Sequence, residues 1–187
     1  LLELEFAILA GVMLSLLVYL NRTSRPSMRS LVPDPRHATR KMAVLEKGLV
    51  ECPQLKILRI EGSIYFGAVN HVDTHFDTLR KTSPDKKHLL LMAKSINFVD
   101  VAGAELLAHE AEQRRKMGGQ LYLYSLRQPV RNMLERGGYI DQIGQGNIFA
   151  GKHEAISGVF ARLDRSICRT CHARIFNECA TLPPAQD

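Results

Sequence analysis

Between Phe6 and Leu20 the chain reads FAILAGVMLSLLVYL, fifteen residues without a charge. Such a run is either buried in protein or immersed in lipid, because water solvates it poorly along its whole length. Fifteen residues fall short of the ~20 that cross a hydrocarbon core. A helix begun at Leu1 has twenty positions and a length of roughly 30 Å. Glu3 and Glu5 then sit near one end, where headgroups or a protein partner can meet them. The alternative is an amphipathic or core helix of a soluble protein. A secretory signal carries its basic residues ahead of the apolar run, and here they come after it. Residues 1–20 are therefore expected to form a transmembrane or membrane-associated helix. The first residue is leucine, which suggests a chain cut or processed from something longer.

The net charge of +6 is concentrated behind that helix. Arg22, Arg25, Arg29, Arg36, Arg40, Lys41 and Lys47 stand against only Asp34 and Glu46. Positive charge after an apolar helix places the downstream chain in the cytoplasm. No aromatic residues are interleaved, so an anionic membrane surface suits this stretch better than nucleic acid. Pro26, Pro33 and Pro35 interrupt any helix, and residues 21–39 read as a stiff basic linker with folded structure resuming near Arg40. With 45% hydrophobic residues, the remainder holds enough apolar material for one core.

Strand and helix signals then alternate. Lys41–Leu45 and Leu55–Glu61 read as strands, the second followed by Gly62, Ser63 and the apolar triplet Ile64, Tyr65, Phe66. Val69, Val72, Phe76 and Leu79 predict a helix over Ala68–Arg80. Leu89–Ala93 is an unbroken apolar run, as in a strand buried on both faces. Val101, Ala104, Leu107, Ala108 and Ala111 mark a helix stopped by Gly118 and Gly119, before a strand over Gln120–Tyr124. Pro129 opens a short helix that Gly137 and Gly138 end. Ala155, Ile156, Val159, Phe160 and Leu163 form a last amphipathic helix. Strands separated by helices imply parallel neighbours, so residues 40–165 are expected to be an α/β domain with a Cys-containing tail over 166–187.

An α/β domain invites a nucleotide enzyme, yet neither G-x-G-x-x-G nor a Walker-type phosphate loop is present, and G-x-S-x-G is missing. His71 and His75 share a helix face without the glutamate of HExxH, which reads as a solvated polar face. No nucleophile and base are assembled, so the chain reads as a non-enzyme. The turn Asn97–Ala104 comes after the buried strand and opens a helix. Asp100 is placed there to cap orphaned N–H groups, and Gly103 permits close packing.

Leu55–Val69 (LKILRIEGSIYFGAV), the turn Phe98–Ala104 (FVDVAGA), and Pro129-Val130 with Gly137 and Gly138 together resemble a STAS domain, the module shared by sulfate transporters and anti-sigma factor antagonists. The order of apolar helix, basic linker and STAS domain resembles the C-terminal end of a SulP-family anion transporter. The resemblance implies a STAS-type mixed sheet with flanking helices. It also implies an intact multi-pass protein of the cell (inner) membrane that carries sulfate or a related inorganic anion at a site outside this chain. The domain would then regulate transport, assembly or trafficking. Its partners would be the transporter's membrane domain, other cytoplasmic proteins and a second copy in a homodimer, with no nucleic acid. The regulatory turn so implied is Asp100, Val101, Ala102 and Gly103. In the antagonist branch the residue two after the aspartate is a phosphorylatable serine. Here it is Ala102, which has no hydroxyl to modify. A membrane-tethered signalling module of the antagonist type is the competing reading.

The tail reads CRTCHARIFNEC from Cys168 to Cys179. The C-x-x-C-H pattern of haem attachment is matched but belongs outside the cytoplasm. Cys168, Cys171, His172 and Cys179 form a candidate zinc or iron–sulfur set by ligand chemistry. In one straight helix Cys168 and Cys179 stand about 16 Å apart along the axis, so a metal requires a turn within the segment. The simpler expectation is a helix whose cysteines and Ile175 pack on the domain without a cofactor.

Overall fold

The computed structural model describes residues 2–37, 39 and 41–183. It opens with helix α1 (Leu2–Thr23), which leads through three residues into strand β1 (Ser27–Pro33). Then come β2 (Met42–Val44), β3 (Leu55–Ile64), α2 (Phe66–Thr82), β4 (His88–Met92), β5 (Ile96–Val99) and α3 (Val101–Lys116). The chain continues through β6 (Leu121–Tyr124), α4 (Gln128–Arg136), α5 (Tyr139–Ile143), β7 (Ile148–Phe149), α6 (Lys152–Phe160) and α7 (Arg165–Thr170). The sheet order is β2-β1-β3-β4-β6-β7, with β5 pairing the far end of β3. β1 runs antiparallel to β2 and β3, whereas β3, β4, β6 and β7 are parallel neighbours. This is the expected mixed α/β sheet with flanking helices.

Side-chain alternation divides the core into two layers. Leu58 and Ile60 of β3, Leu89 and Leu91 of β4, and Leu121 and Leu123 of β6 face Val72 and Phe76 of α2 and Leu107 and Ala111 of α3. Their neighbours Ile57, Leu90 and Tyr122 face the opposite layer, made by Ile156 and Phe160 of α6 with Cys168, Ile175 and Phe176 behind them. The central strands are apolar on both faces because both faces are covered.

Within the linker expected over 21–39, residues 21–23 continue α1 and Ser27–Pro33 form a strand. Leu31 and Val32 are buried in the sheet, Met28 packs on the first core layer, and Ser27–Leu31 pairs with Ile57–Glu61. The prolines do not prevent this: Pro26 precedes the strand and Pro33 ends it, so none removes a donor from its middle. Beyond Pro33 the Asp34 carboxylate accepts bonds from the Arg36 backbone N–H at 2.9 Å and from Nη2 at 2.8 Å, which turns the chain toward β2 and holds the Asp34 pKa down to about 2. The folded unit therefore begins near Ser27; Arg40, where the sequence suggested it, lies outside the described residues.

Helix α1 is exposed from Glu3 to Arg22. It is the one helix among the described residues long and apolar enough to cross a membrane.

Candidate functional site

The parallel strands β3 and β5 end side by side, and the helices that succeed them, α2 and α3, start there together. Asp100 joins the two starts. As N-cap of α3 its Oδ1 accepts the Gly103 backbone N–H at 2.8 Å, while Oδ2 accepts the Phe66 backbone N–H of α2 at 2.9 Å. Two otherwise orphaned donors on two helices thus share one carboxylate. Gly103 lies against β3: a Cβ there would stand 2.1 Å from the Ile64 carbonyl oxygen, so no other residue fits without moving the helix.

Around this cap the surface is apolar. Phe66 is 82% exposed, Val101 55% and Phe98 52%, and Ala102 lies half-buried among them. The sequence-derived turn Asp100, Val101, Ala102 and Gly103 is thus one half of the surface, and Phe66 and Phe98 are the half that sequence reasoning missed. The sequence leaves the apolar triplet Ile64, Tyr65, Phe66 without an assigned element; β3 runs on to Ile64 and the helix begins at Phe66, which turns that ring outward. No signal local to the triplet marks that change.

The surface adjoins the end of α1. Tyr65 Oη and Thr23 Oγ1 are 3.2 Å apart, and Tyr19, Arg22, Arg25, Glu61, Tyr65 and Phe98 line a cleft of about 540 Å³ between helix and domain. Phe98 therefore faces the same end of the molecule as the apolar helix. The arrangement presents exposed apolar side chains and two arginines side by side, as docking surfaces do.

The remaining sequence candidates lie elsewhere. His71 is exposed on α2, whereas His75 is half-buried, and burial lowers its pKa. The tail is not the single helix expected of it. α7 ends at Thr170, the chain turns through Arg174 in the left-handed region (φ 37°), and a 3-10 turn over Asn177–Thr181 carries Cys179. Arg174 holds that turn by donating to the carbonyls of Cys171 and Cys179 at 3.3 and 3.5 Å. Cys168 and Ile175 are buried on the domain, as packing predicts, and Cys171 and Cys179 are half-buried. His172 is exposed and stands outside the cavity that the three cysteines line. Among the described residues no three His, Cys, Asp or Glu side chains come together in a set that could hold a metal ion.

Comparison with known proteins gives the family and the fold. Residues 47–155 match the STAS domain family. The Bacillus subtilis (strain 168) protein YvdB, named for sulfate transport, is 22% identical over 156 residues, which is 83% of this chain and 27% of the relative. The inward-facing murine Solute Carrier 26 family member A9 anion transporter superposes with a TM-score of 0.69 at 21% identity, over 83% of this chain and 26% of that one. A sulfate transporter family protein from Wolinella succinogenes superposes with a TM-score of 0.52 at 22% identity, over 69% and 97%. The chain spans about a quarter of the length of the first two.

Proposed function

Because the chain belongs to the STAS domain family and carries a bare apolar helix directly ahead of its first strand, we propose that it is the cytoplasmic regulatory end of a membrane anion transporter. The observation that carries this reading is the junction of α1 with β1. Three residues separate a helix exposed from Glu3 to Arg22 from a strand inside the sheet, so the domain is held at the end of that helix. The resemblance to proteins named for sulfate and anion transport supports an inorganic anion as cargo. The cargo site lies in membrane segments other than these residues.

In this reading the exposed Phe66, Phe98 and Val101 dock on the transporter's membrane domain, which the neighbouring α1 brings to the same side. A rigid apolar cap is then a contact through which domain position alters transport. The test is anion uptake by the intact transporter in vesicles. Val101→Asp combined with Phe66→Ser lowers uptake by several-fold at equal membrane abundance and unchanged domain fold, whereas equal uptake would remove this surface from the mechanism.

The signalling-module reading requires a phosphate acceptor on the turn. Residues 97–104 contain no hydroxyl, and Ala102 occupies the acceptor position. Regulation by contact is therefore favoured over regulation by phosphorylation at this turn.

A further inference from the structure

Along the cleft that α1 makes with the domain, the lining changes from apolar to cationic. Tyr19 and Leu20 close the uncharged run of the helix, and Arg22 and Arg25 follow directly. Thr23, Ser63 and Asn97 add neutral hydrogen-bonding groups beside them. The shape is fixed from two sides. Tyr65 Oη meets Thr23 Oγ1 at 3.2 Å, which ties the end of α1 to the start of α2. Pro26 is buried against Gly62, where φ is 134° and an added Cβ would stand 3.2 Å from the proline Cβ.

The two guanidinium groups of the cleft are uncommitted. Among the described residues neither Arg22 nor Arg25 has a side-chain hydrogen bond or ion pair. The last carbonyls of α1, at the negative end of the helix dipole, are met by hydroxyls instead. Ser24 Oγ donates to the Asn21 carbonyl at 3.0 Å, and Thr23 Oγ1 lies 3.1 Å from the carbonyls of Tyr19 and Leu20. The carboxylate that lines the cleft belongs to Glu61, and it already faces Arg59, whose Nη1 is 3.5 Å away. Behind it Arg29 and Arg59 stand directly opposite each other on β1 and β3, and Arg59 Nε is buried without an acceptor. Like charges opposed across a ladder repel. With this pair, the arginines of the cleft stand against Glu61, and the excess of positive charge calls for an anion.

We propose that the cleft holds the headgroup of an anionic phospholipid, with the phosphate between Arg22 and Arg25 and the glycerol and first acyl carbons along Tyr19 and Leu20. The inference rests on the reading of α1 as a membrane helix and adds the ligand at its end. With the uncharged run of α1 inside the hydrocarbon, residues just past Leu20 lie in the headgroup layer, where the phosphates of anionic lipids are concentrated. A free oxyanion carries the same charge but has nothing to set against the apolar wall. A headgroup in this place touches α1 and the domain at once, so the lipid composition of the bilayer enters the coupling between them.

The test reconstitutes the full 187-residue chain in nanodiscs of equal phosphatidylcholine and phosphatidylglycerol and counts, by native mass spectrometry, the lipids that stay with the released protein. The chain is expected to retain phosphatidylglycerol in preference to phosphatidylcholine. Arg22→Gln and Arg25→Gln are each expected to lower that preference roughly five-fold, by the usual worth of a basic residue at an anionic surface. Glu61→Gln removes the competing carboxylate and is expected to raise it. Lys116→Gln, at the far end of α3 from the cleft, takes away the same charge as the arginine variants and leaves the preference unchanged. Equal retention of the two lipids, a matching loss in Lys116→Gln, or a drop in Glu61→Gln overturns the proposal. So does displacement of the lipid by millimolar inorganic phosphate, which would make the cleft a site for free oxyanions. Nanodiscs of phosphatidylcholine alone separate this failure from that of the membrane reading. A chain that enters them but prefers neither lipid in the mixture loses this site and keeps its membrane helix, whereas a chain that enters no bilayer loses both.

Discussion

Asp100 makes two hydrogen bonds to two helices, and both depend on a carboxylate with two oxygens in fixed directions. Asp100→Asn retains one acceptor and Asp100→Ala none. Urea unfolding is expected to show a loss of about 0.5–2 kcal/mol for the alanine variant, by the usual worth of a cap, and a smaller loss for asparagine. At Gly103 the missing volume matters more than the bond. Gly103→Ala drives a methyl into the Ile64 carbonyl and is expected to cost about 1–3 kcal/mol, as overpacking does, read as a lower urea midpoint at constant slope. The cap and the tight glycine were legible in the sequence, since a helix start that carries Asp with Gly three residues on supplies both a capping carboxylate and a bare backbone. The second bond of Asp100, to Phe66, was not legible, because it joins positions whose proximity exists only once β3 and β5 lie parallel. His88 carries a pH dependence of the same local kind. Burial lowers its pKa below the ordinary 6.5, with Lys87, Arg114 and Arg162 adding to the effect, and its Nδ1 lies 3.1 Å from Tyr122 Oη. The folded state then binds fewer protons than the unfolded one. Stability is complete above about 6.5 and falls as pH drops from there to the lowered value. His88→Gln is expected to flatten that part of a plot of melting temperature against pH.

At the level of elements, the central strands and the longer helices are set by periodicity, and α2, α3, β4 and β6 stand within a few residues of their expected places. β1 is not, because three prolines and four arginines in 21–39 outweigh Met28, Leu31 and Val32 when the window is read alone. Its partner is β3, and the pairing that makes it a strand is invisible along one stretch of chain. A protein begun at Arg40 therefore lacks a strand that separates β2 from β3 and leaves the β3 edge bare. It is expected to aggregate on purification, whereas one begun at Pro26 stays soluble with mixed α/β circular dichroism. Equal solubility of the two would show that β1 is dispensable. The tail is a similar case: α7 is short, and its turn rests on Arg174 reaching carbonyls on both sides, a bond set that no spacing of cysteines announces.

The whole molecule is a covered sheet attached to an uncovered helix, and the two parts differ in what must solvate them. Expressed in cells, the chain is expected to sediment with membranes and resist alkaline carbonate extraction, while removal of residues 1–23 releases it to the soluble fraction. Recovery of the entire chain in the soluble fraction would contradict immersion of α1. The join between these parts has a mechanical consequence. A flexible tether would let the domain tumble while the helix tilts. Here the strand emerging from the helix is sewn on both edges to β2 and β3, so a rotation of α1 about its axis turns the sheet with it. The domain behaves as a crank, not a pendant, and a short glycine-serine insertion between Thr23 and Pro26 would act as a slipping clutch, sparing the fold of both parts while cutting the motion between them.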